Sequence, residues 1–109
     1  NNKNIRFSFN CRSTTKMAPI HFAAKSKSLD VVKFLSSLDE VNINDQCLIG
    51  WTPLHFAVDQ EDEETVKFLC SLGDKVNTKI KDRFGETPID LARKNYCFEI
   101  ERILKMNDD

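Results

Sequence analysis

Three segments of this chain answer to one another: Ala18-Pro19-Ile20-His21-Phe22-Ala23, Thr52-Pro53-Leu54-His55-Phe56-Ala57 and Thr87-Pro88-Ile89-Asp90-Leu91-Ala92, with prolines 34 and then 35 residues apart. The correspondence continues downstream. Val31-Val32-Lys33-Phe34-Leu35 pairs with Thr65-Val66-Lys67-Phe68-Leu69 and with Ile100-Glu101-Arg102-Ile103-Leu104. Val41-Asn42 returns as Val76-Asn77, and Gly50 as Gly85. Three correlated blocks at one period point to a repeat architecture, in which each unit buries its apolar face only against its neighbours.

Each block has a physical task. Thr before Pro starts a helix, because the Thr hydroxyl accepts an orphan N–H while Pro at the first helical position has none to satisfy. His55, three residues past its cap, is placed to bond back toward it. Asp90 takes that position in the third block, where an acid also suits the positive end of the helix dipole. Ala18 offers no oxygen, so the first leading helix is expected to start more weakly, by about 0.5–2 kcal/mol. A second helix follows each first one, with apolar residues at helical spacing: Val31, Val32, Phe34, Leu35 and Leu38, then Val66, Phe68, Leu69 and Leu72. Ser28 and Asp62 are the expected caps of those second helices, and Gly73 suits a helix end that needs a left-handed residue. Segments 41–50 and 76–85 read as turns with short extended arms. Phe7 and Phe9 align with Val41 and Ile43, which predicts a comparable arm at the N-terminus.

These residues resemble the ankyrin-repeat family: the T-P-L-H-x-A block, the second-helix pattern, Gly73, the Val-Asn pair and the turn glycines all match its pattern. The resemblance covers about residues 7 to 106. It implies a mostly α fold, a solenoid of stacked helix-turn-helix units joined by β-hairpin-like loops, with hairpin tips projecting from one side and a concave face. The repeats are expected at about 7–41, 42–76 and 77–108 of a single domain spanning 1–109, the last resembling a C-terminal cap. The chain departs from the family where a glycine between the two helices is replaced by Lys27, Glu61 and Tyr96, which leaves the shape of those turns open. The inter-repeat segments are about two residues longer than the family's, and the first repeat's end about one shorter. The polar run Arg12, Ser13, Thr14, Thr15 and Lys16 fits an N-terminal cap or a junction with further repeats, and the absent initiator Met suggests a fragment of a longer protein.

Composition narrows the partners. Sixteen Lys and Arg against seventeen Asp and Glu give a net charge of -1, which provides no global field for nucleic acid. No apolar run reaches the ~20 residues a bilayer crossing needs, so membrane insertion is not expected. Cys11, Cys47, Cys70 and Cys97 form no C-x-x-C pair and sit at no ligand spacing from a His, so free thiols in a reducing compartment are expected and the location is read as cytoplasmic, with the nucleus open. The protein is expected to be monomeric. His21, His55 and Asp90 occupy equivalent positions, but their place at helix starts makes them hydrogen-bonding groups rather than a metal or catalytic triad. No G-x-S-x-G elbow or glycine-rich phosphate loop is present. Neither catalysis nor a cofactor is expected.

Binding is the remaining function. The positions that the family pattern leaves free lie on hairpin tips and the inner faces of the first helices: Met17, Lys25 and Ser26; Leu48, Ile49, Trp51, Asp59 and Gln60; Arg83, Phe84, Glu86, Lys94 and Asn95. The repeat pattern fills the core without Leu48, Ile49, Trp51 and Phe84, so they are expected on adjacent hairpins as a recognition surface beside Arg83; the competing expectation is that Ile49 and Phe84 pack together to stiffen the hairpins. Phe22, Phe56, Phe34 and Phe68 recur with the repeat and are expected in the core. Two charge clusters stand out, the acids Asp59, Glu61, Asp62, Glu63 and Glu64, and the cations Lys75, Lys79, Lys81 and Arg83. Each is read either as a docking patch or as a solvated surface. Asn42 and Asn77 match hairpin asparagines that the resemblance implies some relatives carry hydroxylated; a structural role in the hairpin is the reading preferred here. The chain is therefore expected to be a non-enzymatic intracellular module that binds a protein through its concave groove. The alternative is a structural spacer or intramolecular docking unit in a protein whose activity lies elsewhere.

Overall fold

A computed structural model describes residues 16–107, and the expected arm at Phe7 and Phe9 and the polar residues at 12–15 lie outside that range. Among the described residues the proline-led blocks open three short helices, α1 (Pro19–Lys25), α3 (Pro53–Asp59) and α5 (Pro88–Lys94). Each is followed by a partner helix: α2 (Leu29–Ser36), α4 (Glu63–Ser71) and α6 (Phe98–Met106).

The helix starts follow the capping logic. Thr52 Oγ1 accepts the His55 N–H at 3.3 Å while the Thr52 N–H donates to His55 Nδ1 at 3.1 Å. Thr87 and Asp90 repeat the exchange at 3.4 and 3.0 Å. Ahead of α1 only half of it exists: the Ala18 N–H donates to His21 Nδ1 at 2.9 Å, and no side-chain oxygen caps the helix. Asp62 caps α4, accepting the Thr65 N–H at 3.4 Å and the Thr65 hydroxyl at 2.6 Å. Ser28 precedes α2 but makes no side-chain cap bond, against expectation.

The turn inside each pair ends the first helix with a left-handed residue, and three side chains do what glycine does more easily. Lys27, Glu61 and Tyr96 hold φ of +58°, +56° and +58°. The next amide in each turn then reaches back five residues: Ser28 to the Ala23 carbonyl, Asp62 to Ala57 and Cys97 to Ala92, at 2.9, 3.0 and 2.8 Å. These are the closing bonds of a Schellman turn. Gly73, at φ +65°, opens a single 3-10 turn at Gly73–Lys75 after α4.

Packing is between like helices. α1, α3 and α5 stack in one layer and α2, α4 and α6 in a second, with each pair joined across the layers. Ile20, Val32, Leu54, Val66, Leu69 and Ile100 are fully enclosed in one continuous core. Phe56 is buried against the edge of the His21 ring, with centroids 5.7 Å apart, and Phe68 is half-buried on the same core. Phe22 and Phe34 depart from the expectation that repeating aromatics are core: both are about half exposed. The reason is positional. α1 covers Phe56 and α2 adjoins the helix of Phe68, whereas no described helix lies on the equivalent side of α1 or α2.

No strand forms among the described residues; the inter-repeat segments are loops whose tips are each closed by two backbone bonds, one of them from the tip glycine: Gly50 N–H to the Cys47 carbonyl at 2.9 Å and Gly85 N–H to the Asp82 carbonyl at 3.0 Å. The Cys47 N–H donates to the Trp51 carbonyl at 3.0 Å and the Asp82 N–H to the Glu86 carbonyl at 2.9 Å, with Gly50 and Gly85 at φ +84° and +79° completing the tips.

Candidate partner-binding surface

The two hairpins, 41–50 and 76–85, are cross-linked along their length. Asn44 Nδ2 donates to the Lys75 carbonyl at 2.9 Å while its Oδ1 accepts the Asn77 N–H at 2.8 Å. Gln46 Nε2 reaches both the Gly50 carbonyl at 2.9 Å and the Lys81 carbonyl at 3.0 Å. At the tips the Arg83 N–H donates to the Ile49 carbonyl at 3.1 Å. That approach requires Gly50, since a Cβ there would lie 2.8 Å from the Arg83 nitrogen and 2.9 Å from Asp82 Cα. Asn42 and Asn77 brace the loop backbones, each accepting the N–H two residues on, at 3.0 and 2.9 Å.

Asp82, not among the residues expected at the site, organises the second tip. It is buried, and its Oδ1 accepts the Phe84 and Glu86 N–H groups, both at 2.9 Å. Its Oδ2 accepts the Trp51 indole N–H at 2.9 Å. Burial pushes the carboxyl upward, but those three hydrogen bonds and the neighbouring His55 outweigh it and hold it below the usual carboxylate range. The available signal was the D-x-x-G spacing of Asp82 to Gly85, an acid whose side chain satisfies the amides of its own turn.

Trp51, expected to be spare to the packing, has a structural role. It is half-buried, stacks on His55 with centroids 6.2 Å apart, meets Phe56 edge-on at 5.0 Å and spends its N–H on Asp82. Met17, expected at a groove position, is only 8% exposed and belongs to the core. The other tip residues do face solvent. Leu48 and Ile49 are 42% and 38% exposed and Phe84 is 74% exposed. Lys25 and Asp59, the last residues of α1 and α3, are exposed and Gln60 is half-buried, while Glu86, in the loop before α5, pairs with Lys94 at 3.3 Å.

The histidines are joints between repeats. Each Nδ1 accepts a backbone N–H, so the proton sits on Nε2, which donates to the next loop: His21 to the Asp45 carbonyl at 2.7 Å and His55 to the Glu86 carbonyl at 3.0 Å. Both nitrogens of both rings are therefore engaged. Burial lowers the His55 pKa, opposed by the Glu86 hydrogen bond and the charges of Asp82 and Glu86. Asp90 occupies the same position in α5 and turns its carboxylate to the Thr87 amide and to Arg93, 3.8 Å away. Cys47, Cys70 and Cys97 are free thiols. Burial, together with Glu61, Asp59 and Glu63, raises the Cys97 pKa and keeps that thiol protonated.

A family model described as ankyrin repeats (three copies) matches residues 2–80 and 20–108. The chain belongs to the ankyrin-repeat family. Ankyrin repeats are generally protein–protein interaction modules and are typically non-catalytic. No curated protein matches this ankyrin stack. Among the described residues no cluster of three His, Cys, Asp or Glu side chains is placed to hold a metal ion, and no helix is long and apolar enough to cross a membrane.

Proposed function

We propose that this ankyrin stack is a non-enzymatic, intracellular recognition module that binds a protein partner through its hairpin tips and adjoining groove. The observation that carries the reading is the exposure of Phe84, Leu48 and Ile49 on two tips that are hydrogen-bonded to one another. Apolar side chains presented to solvent on a backbone already fixed lose little entropy on binding, which is what makes a small surface effective. Exposed hydrophobics with a neighbouring arginine also have hot-spot composition. Lys25, Asp59, Gln60 and the Glu86–Lys94 pair belong to the adjoining groove and set orientation. Trp51 acts through Asp82, holding the second tip in place. The module functions as a monomer, of three repeats divided near residues 41 and 76.

The test is affinity capture from source-cell lysate with wild type beside a Leu48→Ala/Phe84→Ala double variant, both exposed positions, after thermal melts show that both baits fold. A partner retained by wild type and lost from the variant supports the reading. Equal retention by both baits moves the weight to a spacer or intramolecular docking unit.

A further inference from the structure

We propose that the second hairpin selects the partner by charge, and that the partner presents an acidic segment carrying an apolar anchor. The inference rests on the tip-binding reading and names the chemistry of what the tips bind.

Residues 75–83 contain four cations, Lys75, Lys79, Lys81 and Arg83, in a chain whose net charge is -1. They do not simply decorate a loop. From 79 to 83 the segment alternates: Lys79, Lys81 and Arg83 are exposed, whereas Ile80 is half-buried and Asp82 is buried between them. The alternation turns the three cations to solvent and the two side chains between them toward the protein. The one carboxylate within 75–83 is Asp82, and its oxygens are taken by two amides and the Trp51 indole. The acid on the groove side, Glu86, is held by Lys94. Lys75, Lys81 and Arg83 themselves enter no ion pair among the described residues.

The framework does not ask for these charges. The aligned residues of the first hairpin are Asn44, Gln46 and Leu48, all neutral, and Asn44 and Gln46 build the fold by bonding forward to the second hairpin. In the second hairpin the same positions are Lys79, Lys81 and Arg83. Phe84 follows Arg83 directly, and the Arg83 amide ties it to Ile49, so the cationic stripe ends at the exposed apolar tips. A ligand that satisfies both features carries carboxylates on one stretch and an aliphatic or aromatic side chain at its end. Opposed charges on such a surface speed encounter and reject the wrong partner more than they add affinity.

The experiment uses the full chain, labelled with ¹⁵N, and four probes. The first is the peptide Glu-Glu-Leu-Glu-Phe-Glu-Glu. The second replaces every Glu with Lys, the third replaces Leu and Phe with Ala, and the fourth is a short oligouridylate. The expected result is that the first binds about tenfold or more tighter than the second and third and weakens several-fold between about 50 and about 300 mM salt. It should move the amide signals of Leu48, Ile49, Lys81, Arg83 and Phe84. A Lys81→Glu/Arg83→Glu variant with an unchanged melt should invert the preference between the first two peptides. Equal binding of the glutamate and lysine peptides at those amides overturns the charge inference and leaves tip binding standing. Tighter binding of oligouridylate at the same amides overturns it in favour of nucleic acid. Shifts confined to other residues overturn both readings. No shift with any probe at about 1 mM overturns the charge inference alone, since the Leu48→Ala/Phe84→Ala capture tests the tips independently.

Discussion

Lys27, Glu61 and Tyr96 stand where a helix must end in a left-handed turn, and each has the Cβ that makes such a turn costly. The penalty for an L-residue there is about 1–2 kcal/mol, partly offset because glycine loses more freedom on folding. Lys27 has an exposed side chain. Lys27→Gly is therefore expected to stabilise the protein by about 0.5–1 kcal/mol in urea denaturation, with no change in the slope of the transition. A neutral or destabilising result would mean that the Lys27 side chain contributes something its exposure does not suggest. The turn also shows how far residues could be read. The sequence marked the three departures from glycine and left the turn open; the backbone keeps the turn because the amides of Ser28, Asp62 and Cys97 reach their carbonyls only from that conformation. The pairing of Trp51 with Asp82 was illegible for a different reason. Their bond spans 31 positions and two repeats, and no local pattern announces a side chain whose partner sits on the next loop.

At the scale of the helix, the proline-led blocks were the most legible part of the chain, because capping is local chemistry written within four residues. Thr52 and Thr87 exchange both bonds with the third residue of their helices, whereas Ala18 can only donate its amide to His21. Without that oxygen the His21 amide turns to the Ala18 carbonyl, at 3.0 Å, in place of a side-chain cap. Ala18→Thr reproduces the arrangement of α3 and is expected to raise stability by about 0.5–2 kcal/mol, read from urea denaturation. The gain should vanish in Ala18→Val, which has the shape of threonine without its oxygen. Equal effects from the two substitutions would assign the change to packing, since Ala18 is itself buried. The inter-repeat arms were read less well. Turns with short extended arms were expected; no strand forms among the described residues, each tip closes with two backbone bonds, and the side chains of Asn44 and Gln46 bond across to the neighbouring loop's backbone.

Across the whole molecule, extending 46 × 26 × 21 Å, stability passes from repeat to repeat through a few joints, as expected of a nearly one-dimensional stack. The joint between the second and third repeats contains a titratable group. His55 accepts the Thr52 amide on Nδ1 and donates from Nε2 to the Glu86 carbonyl, an arrangement that only the neutral ring satisfies. Protonating Nδ1 would replace an acceptor with a donor facing another donor. With the folded pKa below its ordinary value of 6.5, the unfolded chain binds the proton more readily than the folded one. Stability is then fully present above the unfolded pKa and falls as pH drops from there toward the folded pKa. Urea denaturation is expected to show a lower unfolding free energy at pH about 5.5 than at pH about 7.5, and NMR titration should place the His55 imidazole below an unfolded reference peptide. Because the joint joins α3 to the turn that begins α5, hydrogen exchange should report the loosening first at Arg83 and Glu86, while Val32 and Leu35 in α2 keep their protection. An imidazole titrating at or above the reference value would reverse the sign and show that the charges of Asp82 and Glu86 outweigh burial at this joint.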